Sequence, residues 1–443
     1  MTLNQSKNIQ NKKIGLITSI SFAVGAMIGG GVFVLSGLAL KQTGASAIVS
    51  FIIAGIMVLF SAISFAKISS QKNKGNYSGY AIVGQVLKSH IWTFLVSWSF
   101  YLAGIIGAAF VLNAFGIYLT SFVLHNNQIV LWAIIFGILL TLINLGPASE
   151  IGRIETLLVG LKIIALVILI GFGIANFHLS YLHPFTPHGQ SQILVSSAFL
   201  FIAFLGFNVI TNIASEIKKP TKTIPLAIIL SMLIVMVIYV GIIIALISAH
   251  IHNYDEASVG VAAKNLIGPI GEFLIVLGAL VSTLSSANAN ILGSSEIMVR
   301  MALDKQVPTS LAKQYKGHPL YSVLFGGLLY IILILTKKTD AVIGLANITA
   351  IFGLIIVNIT AFKLYLNSNQ KLMASIPIIG SVFGAIQFLF MPFLNVMIGF
   401  SIILLGLLIY RFRNRLHSQV LHQELIKIFN QVSGPLTRSL RKN

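Results

Sequence analysis

The sequence predicts an all-α polytopic membrane protein with twelve transmembrane helices, and three observations carry that prediction. Hydrophobic residues make up 56% of the 443 residues and charged residues only 9%, with a mean hydropathy of +0.94; an ordinary soluble domain is excluded. Apolar runs of about 20 residues, the length that crosses hydrocarbon as a helix, recur along the whole chain. Lys and Arg collect in alternate loops, as they do on the cytoplasmic face of a membrane protein.

Span 1, near residues 15 to 39, follows Lys12 and Lys13 and is longer than the core of a secretory signal, so it is read as an uncleaved span. Gly29, Gly30 and Gly31 interrupt its middle. In hydrocarbon every backbone N–H and C=O needs a partner, so a span is broken only where the freed groups line a cavity or hold a ligand. Spans 2 to 5, near 46 to 66, 92 to 122, 128 to 147 and 154 to 176, are continuous apolar runs. Span 6, near 193 to 216, carries a second interruption at Gly206 before the chain turns through Glu216, Lys218, Lys219 and Pro220. Spans 7 to 12 follow near 225 to 249, 268 to 302, 320 to 336, 341 to 364, 374 to 391 and 393 to 411. The two breaks thus fall in the first helix of each of two five-span halves, residues 14–176 and 192–365. That is the pairing of an inverted repeat, and an odd number of spans per half makes the halves run in opposite senses. Spans 11 and 12, within 373–411, are additions to the repeat.

The net charge of +19 does not point to nucleic acid, because its placement along the chain is topological. Of the 29 Lys and Arg residues only Lys41, Lys264, Lys337 and Lys338 fall outside the set of loops that includes residues 1–13 and the tail. Both termini are therefore expected in the cytoplasm and the chain in the plasma membrane, which is the inner membrane of a Gram-negative bacterium. The tail, 412–443, spaces Leu416, Val420, Leu421, Leu425, Ile426 and Phe429 as one face of a basic amphipathic helix. An equally open reading makes it a charged tail that only sets topology.

Cysteine is absent, which removes disulfides, thiolate metal sites and cysteine nucleophiles. The central spans offer no Asp, Glu or His and no nucleophile elbow, so an enzyme is not expected. No phosphate-binding loop points to an ATP-driven pump. Two single breaks in one polypeptide do not make the repeated filter of a channel. A carrier of the major facilitator type remains the architectural rival; Ser69-Ser-Gln-Lys-Asn-Lys-Gly75 lacks the loop signature of that fold. No cofactor and no metal are expected.

The first-span motif Val24-Gly-Ala-Met-Ile-Gly-Gly-Gly-Val-Phe33 resembles the glycine signature of amino acid-polyamine-organocation (APC) permeases. Four further segments agree. Phe204-Leu-Gly-Phe with Ala214-Ser-Glu-Ile-Lys-Lys-Pro220 and Pro225 is similar to the sixth-span pattern, and Ser285-Ser-Ala-Asn-Ala-Asn290 resembles the middle of the eighth. Met301-Ala-Leu-Asp304 with Pro308 is similar to the following loop, and Ala62-Ile-Ser-Phe-Ala66 through Gly79-Tyr80 to the end of span 2. The resemblance covers residues 14 to 365 in order. It implies a LeuT-like 5+5 inverted repeat with broken helices 1 and 6 plus two extra helices. A core of spans 1, 2, 6 and 7 would then move against a scaffold of spans 3, 4, 5, 8, 9 and 10.

A broken helix presents unpaired N–H groups at the start of its second half and unpaired carbonyls at the end of its first. A zwitterionic amino acid matches both. Its carboxylate suits the N–H groups and partial positive charge near Gly29, Gly30 and Gly31. Its ammonium suits the carbonyls of Met27, Phe201, Ile202 and Leu205. The resemblance implies the same arrangement, with Ile202 standing where many relatives carry a bulky aromatic. Taken alone, the glycines read better as close helix packing; the break at the symmetric position in span 6 turns the balance to binding. No acidic residue lies deep in a span, which favours neutral amino acids. An exchanger, or a carrier of cationic amino acids or polyamines on the same fold, is the alternative.

Lys162 is the one ionisable side chain near the centre of a span, nine residues past Arg153. An intramembrane charge is costly, so a functional role is the default expectation. Burial favours its uncharged amine, which is what a proton carrier needs. The resemblance implies that such a lysine occupies the cation volume of sodium-coupled relatives, next to span 8 hydroxyls for which Ser282, Thr283, Ser285 and Ser286 are candidates. Two readings stay open, a proton-coupling residue and a permanently charged strut. Lys67 and Glu296 invert the signs usual in the family and are read as a charge-swapped gate pair, with Arg300 competing for Glu296. Two independent interfacial charges read equally well.

Overall fold

Helix α1, Leu16–Met27, is mostly apolar, its Ser19 and Ser21 hydroxyls donate to the carbonyls four residues back, and it stops where the glycine run begins. A computed structural model describes residues 14–71, 79–145, 151–211, 217–313 and 319–412. The N-terminal 1–13, the amphipathic tail from 413 and the Ala214-Ser-Glu216 part of the sixth-span motif lie outside the described residues, as does the side chain of Arg153. After α1 the chain resumes as a wide π turn over Gly31–Leu35 and then α2, Ser36–Thr43. Helices α3, Ala47–Ser69, α4, Gly79–Leu87, α5, His90–Tyr118, α6, Ile129–Ile143, and α7, Ile151–Ala175, complete the first half. The second half opens with α8, Ser191–Phe199, and continues through α9, Pro220–Ser248, α10, Ser258–Ile267, α11, Pro269–Leu303, α12, Leu320–Leu335, and α13, Thr339–Asn367. Last come α14, Ser375–Gln387, and α15, Phe393–Phe412.

Among the described residues the architecture is all-helical apart from one isolated bridge between Ile14 and Ile217. That bridge, with Lys218 N–H donating to Ile14 O at 2.9 Å, ties the entry to α1 to the chain just before α9. Seven helical stretches are long and apolar enough to cross a membrane, and five shorter apolar helices accompany them; the chain is a multi-pass membrane protein. Apolar side chains such as Leu404, Leu405 and Leu408 of α15 remain exposed on the outside, as expected of a lipid-facing helix.

α5 lies at the centre. It is buried on nearly every face, which is why its sequence shows no polar stripe. It packs against α11 and α13, while α9 packs against α1, α3 and α7. Two boundaries differ from expectation. α9 begins at Pro220, five residues before the hydropathy onset at Pro225, because proline at a helix start gives up an N–H that has no helical partner there. Span 6 is helical only to Phe199 and tightens into 3-10 turns beyond it.

Candidate functional site

The first break is a tight reversal held by its own backbone. Ile28 has φ −78° and ψ 86°, the dihedrals of an inverse γ-turn, and Gly29 N–H donates back to Met27 O at 3.0 Å. The glycines here are needed for space. A Cβ on Gly29 would overlap Ser286 Oγ, and one on Gly31 would lie 3.1 Å from the Cα of Ala203 and 3.2 Å from the Tyr239 hydroxyl. In the π turn that follows, the Phe33 carbonyl accepts from the Tyr118 hydroxyl at 2.9 Å.

The second break faces the first. Leu200–Phe204 and Phe207–Thr211 are 3-10 segments, and between them Leu205 is extended and Gly206 adopts φ +112°. A Cβ on Gly206 would come within 3.0 Å of the Ala26 carbonyl, so the two interrupted segments touch backbone to backbone. A cavity of about 60 Å³ lies between them, lined by Met27, Gly29, Gly30, Gly31, Ile202, Leu205 and Ser286 together with Phe110, Gly107 and Asn290. Of the seven residues expected to hold a substrate, Phe201 is not on this wall; it is buried, 2% exposed. None of the lining side chains is ionisable.

The carbonyls freed at the end of α1 are met by three side chains from other helices. Lys162 Nζ, from α7, donates to Gly25 O and Ile28 O, each at 2.9 Å, and Ser282 Oγ, from α11, donates to Ile28 O at 2.6 Å. The C-terminal carbonyls of a helix carry partial negative charge, so an ammonium is well placed there. Lys162 is 2% exposed. The Tyr239 hydroxyl lies 2.9 Å from Met27 O and 2.7 Å from Ala203 O, one carbonyl from each break. Ser285 is half-buried, whereas Ser286 is buried and its Oγ has no hydrogen-bond partner in the chain.

Comparison with known proteins decides the family. The model of the amino acid permease family matches residues 18–429. The chain belongs to the amino acid permeases. It is a transporter of amino acids or related organic cations and not an enzyme. The permease is 26% identical over 386 residues to the inner membrane transport protein YbaT of Escherichia coli, covering 85% of this chain and 88% of that protein. It is 25% identical to the branched-chain amino acid permease BcaP of Bacillus subtilis, over 92% and 94% of the two chains. It is also 25% identical to the methylthioribose transporter of the same species, over 72% and 74%.

At the end of α3, Lys67 meets partners from the C-terminal end of α13. Lys67 Nζ donates to Gln370 Oε1 at 3.0 Å and lies 4.6 Å from the centre of the Tyr365 ring. α13 and the turn after it thus offer Lys67 an aromatic face and an amide. Sequence reasoning missed Phe110, Gly107, Asn290 and Tyr239. Asn290 ended a motif already recognised, while Phe110 and Gly107 lie in a helix whose uniform apolarity gives no direction to any residue. Tyr239 was the one hydroxyl-bearing aromatic within an otherwise aliphatic span, a signal that was available.

Proposed function

We propose that this permease is a secondary transporter that carries a neutral amino acid by alternating access, with the substrate held between the two breaks. The observation that carries the reading is the shared cavity walled by backbone from both interrupted helices, with no ionisable side chain in its lining. The carboxylate meets N–H groups around Gly29, Gly30 and Gly31, and the ammonium meets carbonyls of the opposing segment. Ser286 Oγ, without a partner in the chain, supplies a further donor. At about 60 Å³ the cavity holds roughly four waters, so a substrate with a sizeable side chain enters only after the segments part. The name of the Bacillus subtilis permease, which specifies branched-chain amino acids, is consistent with an apolar wall containing Ile202 and Leu205.

The halves 14–176 and 192–365 form an inverted repeat of five spans each within a twelve-span chain, with both termini cytoplasmic. Movement of spans 1, 2, 6 and 7 against the remaining repeat helices opens the site to either side. Transport is proton-coupled and sodium-independent, with Lys162 as the coupling group. Protonated, it grips Gly25 O and Ile28 O and fixes the end of α1; deprotonated, it releases them and lets the inner half-helix move.

The test is a screen of the purified protein for thermal stabilisation by the twenty amino acids. A ligand at 100 times its dissociation constant adds about 2.7 kcal/mol. The neutral amino acids should contain the strongest stabiliser, and Gly30→Val should weaken its effect without unfolding the protein. Stabilisation in that variant equal to the wild type's would remove the substrate from the breaks. Uptake into sodium-free proteoliposomes should rise at acidic external pH, and strict sodium dependence would eliminate Lys162 as the coupling group.

A further inference from the structure

A second cavity, about 470 Å³ in volume, opens between α2, α8, the first turns of α13 and the turn that joins α14 to α15. Its size lies within the ~300–1,000 Å³ typical of small-molecule sites, and it is distinct from the cavity at the breaks. Phe199 and Phe390 give it apolar walls, while Lys41 from α2 and Asp340 from the first turn of α13 bring opposite charges to the same space. These two are not joined to each other in an ion pair. Asn347 also lines the cavity. It is fully buried, its amide nitrogen donates to Ala198 O at 3.1 Å and Phe199 O at 2.9 Å, and its Oδ1 has no partner in the chain. Gln42 Oε1, beside it on the wall, is likewise buried without a partner. Neither of these two oxygens has accessible surface, so what the cavity itself presents is a carboxylate, one ammonium and an apolar wall.

We propose that this cavity is a second binding site, for a zwitterionic amino acid with an apolar side chain. The inference rests on the reading of the permease as an amino acid carrier. The ligand's ammonium meets Asp340, its carboxylate faces Lys41, and its side chain packs on Phe199 and Phe390. Occupancy has a mechanical consequence. Lys41 and Gln42 belong to α2, the second half of the first broken segment, and Asn347 is fastened to the carbonyls where α8 gives way to the second break. An occupant therefore clamps the outer halves of both broken segments to α13 and opposes their movement. Phosphatidylethanolamine carries a similar pairing of ammonium and anion in its headgroup, and the experiment separates the two sources.

Equilibrium binding of radiolabelled L-leucine, L-isoleucine and L-phenylalanine is measured on the full chain in phosphatidylcholine nanodiscs. The wild type should bind two equivalents of at least one of them and Gly30→Val one. Asp340→Asn or Lys41→Met in the Gly30→Val background should weaken the remaining site by about tenfold or more. Phosphatidylethanolamine in the nanodisc should leave it unchanged. Should Gly30→Val fail to fold, the fall from two equivalents to one in Asp340→Asn alone makes the same test. One equivalent in the wild type, or binding in Gly30→Val that ignores Asp340→Asn, overturns the second site and leaves the central one standing. Loss of the second equivalent in phosphatidylethanolamine nanodiscs gives the cavity to a lipid headgroup and overturns the amino acid occupant. No binding of any of the three to the wild type also overturns it, while the twenty-amino-acid screen still judges the central site separately.

Discussion

Tyr239 has one phenolic proton and two carbonyls within reach, Met27 O and Ala203 O. It therefore satisfies one break at a time, and a shift of that proton exchanges which of the two is held. Tyr239→Phe keeps the ring and leaves both buried carbonyls without this donor. The expected cost is about 1–3 kcal/mol, read as a lowered thermal midpoint in detergent, with weaker substrate stabilisation because the two segments are no longer tied. Lys162 differs in kind, since its ammonium serves Gly25 O and Ile28 O together. Lys162→Met should leave substrate binding measurable and flatten the dependence of proteoliposome uptake on external pH. A profile that keeps its acid rise would place the coupling elsewhere. Lys162 was legible from the sequence because a charge in mid-span has no bland explanation by composition. The resemblance implied span 1 carbonyls beside it, but not which ones, because backbone carbonyls become acceptors only once a helix ends and the sequence does not say which of them are left over.

Helices are where the sequence speaks most clearly and also where it misleads by length. The two breaks were visible as glycines inside apolar runs, because two such interruptions at corresponding places in the two halves are not what helix packing alone requires. The 3-10 character of Leu200–Phe204 was hidden, because its residues are ordinary span residues and the tightening comes from the neighbouring chain. Two short helices escaped as well. α10 follows a side-chain-closed turn, with Ala257 N–H donating to Asp255 Oδ1 at 2.9 Å and Asp255 N–H to Ser258 Oγ at 2.7 Å, a pattern easily passed over between long apolar runs. The second break depends on one residue more than on any other. Gly206 at φ +112° occupies a region that an L side chain enters only with strain, and its added Cβ would meet the end of α1 at 3.0 Å. Gly206→Ala should cost about 1–3 kcal/mol and push the two segments apart. Substrate affinity should fall by more than it does for an alanine placed at Gly160, where a Cβ meets nothing within 4 Å. Equal effects at the two positions would mean that contact between the breaks is unimportant for binding.

At the scale of the whole molecule, the distribution of charge makes the strongest claim, because orientation follows from where 29 basic residues lie and not from any packing detail. The positive-inside asymmetry predicts Lys264 and Lys337 on the outer face and Lys88 and Lys305 on the inner face. The chain contains no cysteine, so a single introduced thiol reports its own location without background. Lys264→Cys and Lys337→Cys should react with a membrane-impermeant maleimide in intact cells, whereas Lys88→Cys and Lys305→Cys should react only after permeabilisation. The reverse pattern would invert the topology and with it the direction of proton-driven uptake. The same probe follows the transport cycle. Gly107 lines the cavity between the breaks, beside Asn290, with the nearest atom to an added Cβ 3.8 Å away, so Gly107→Cys is accommodated there at little steric cost. If the core helices rock against the scaffold, its labelling from outside should slow when a saturating substrate closes the site and recover when the substrate is washed away. A rate unchanged by substrate would mean that the two breaks do not gate access, and alternating access would have to be sought in another pair of helices.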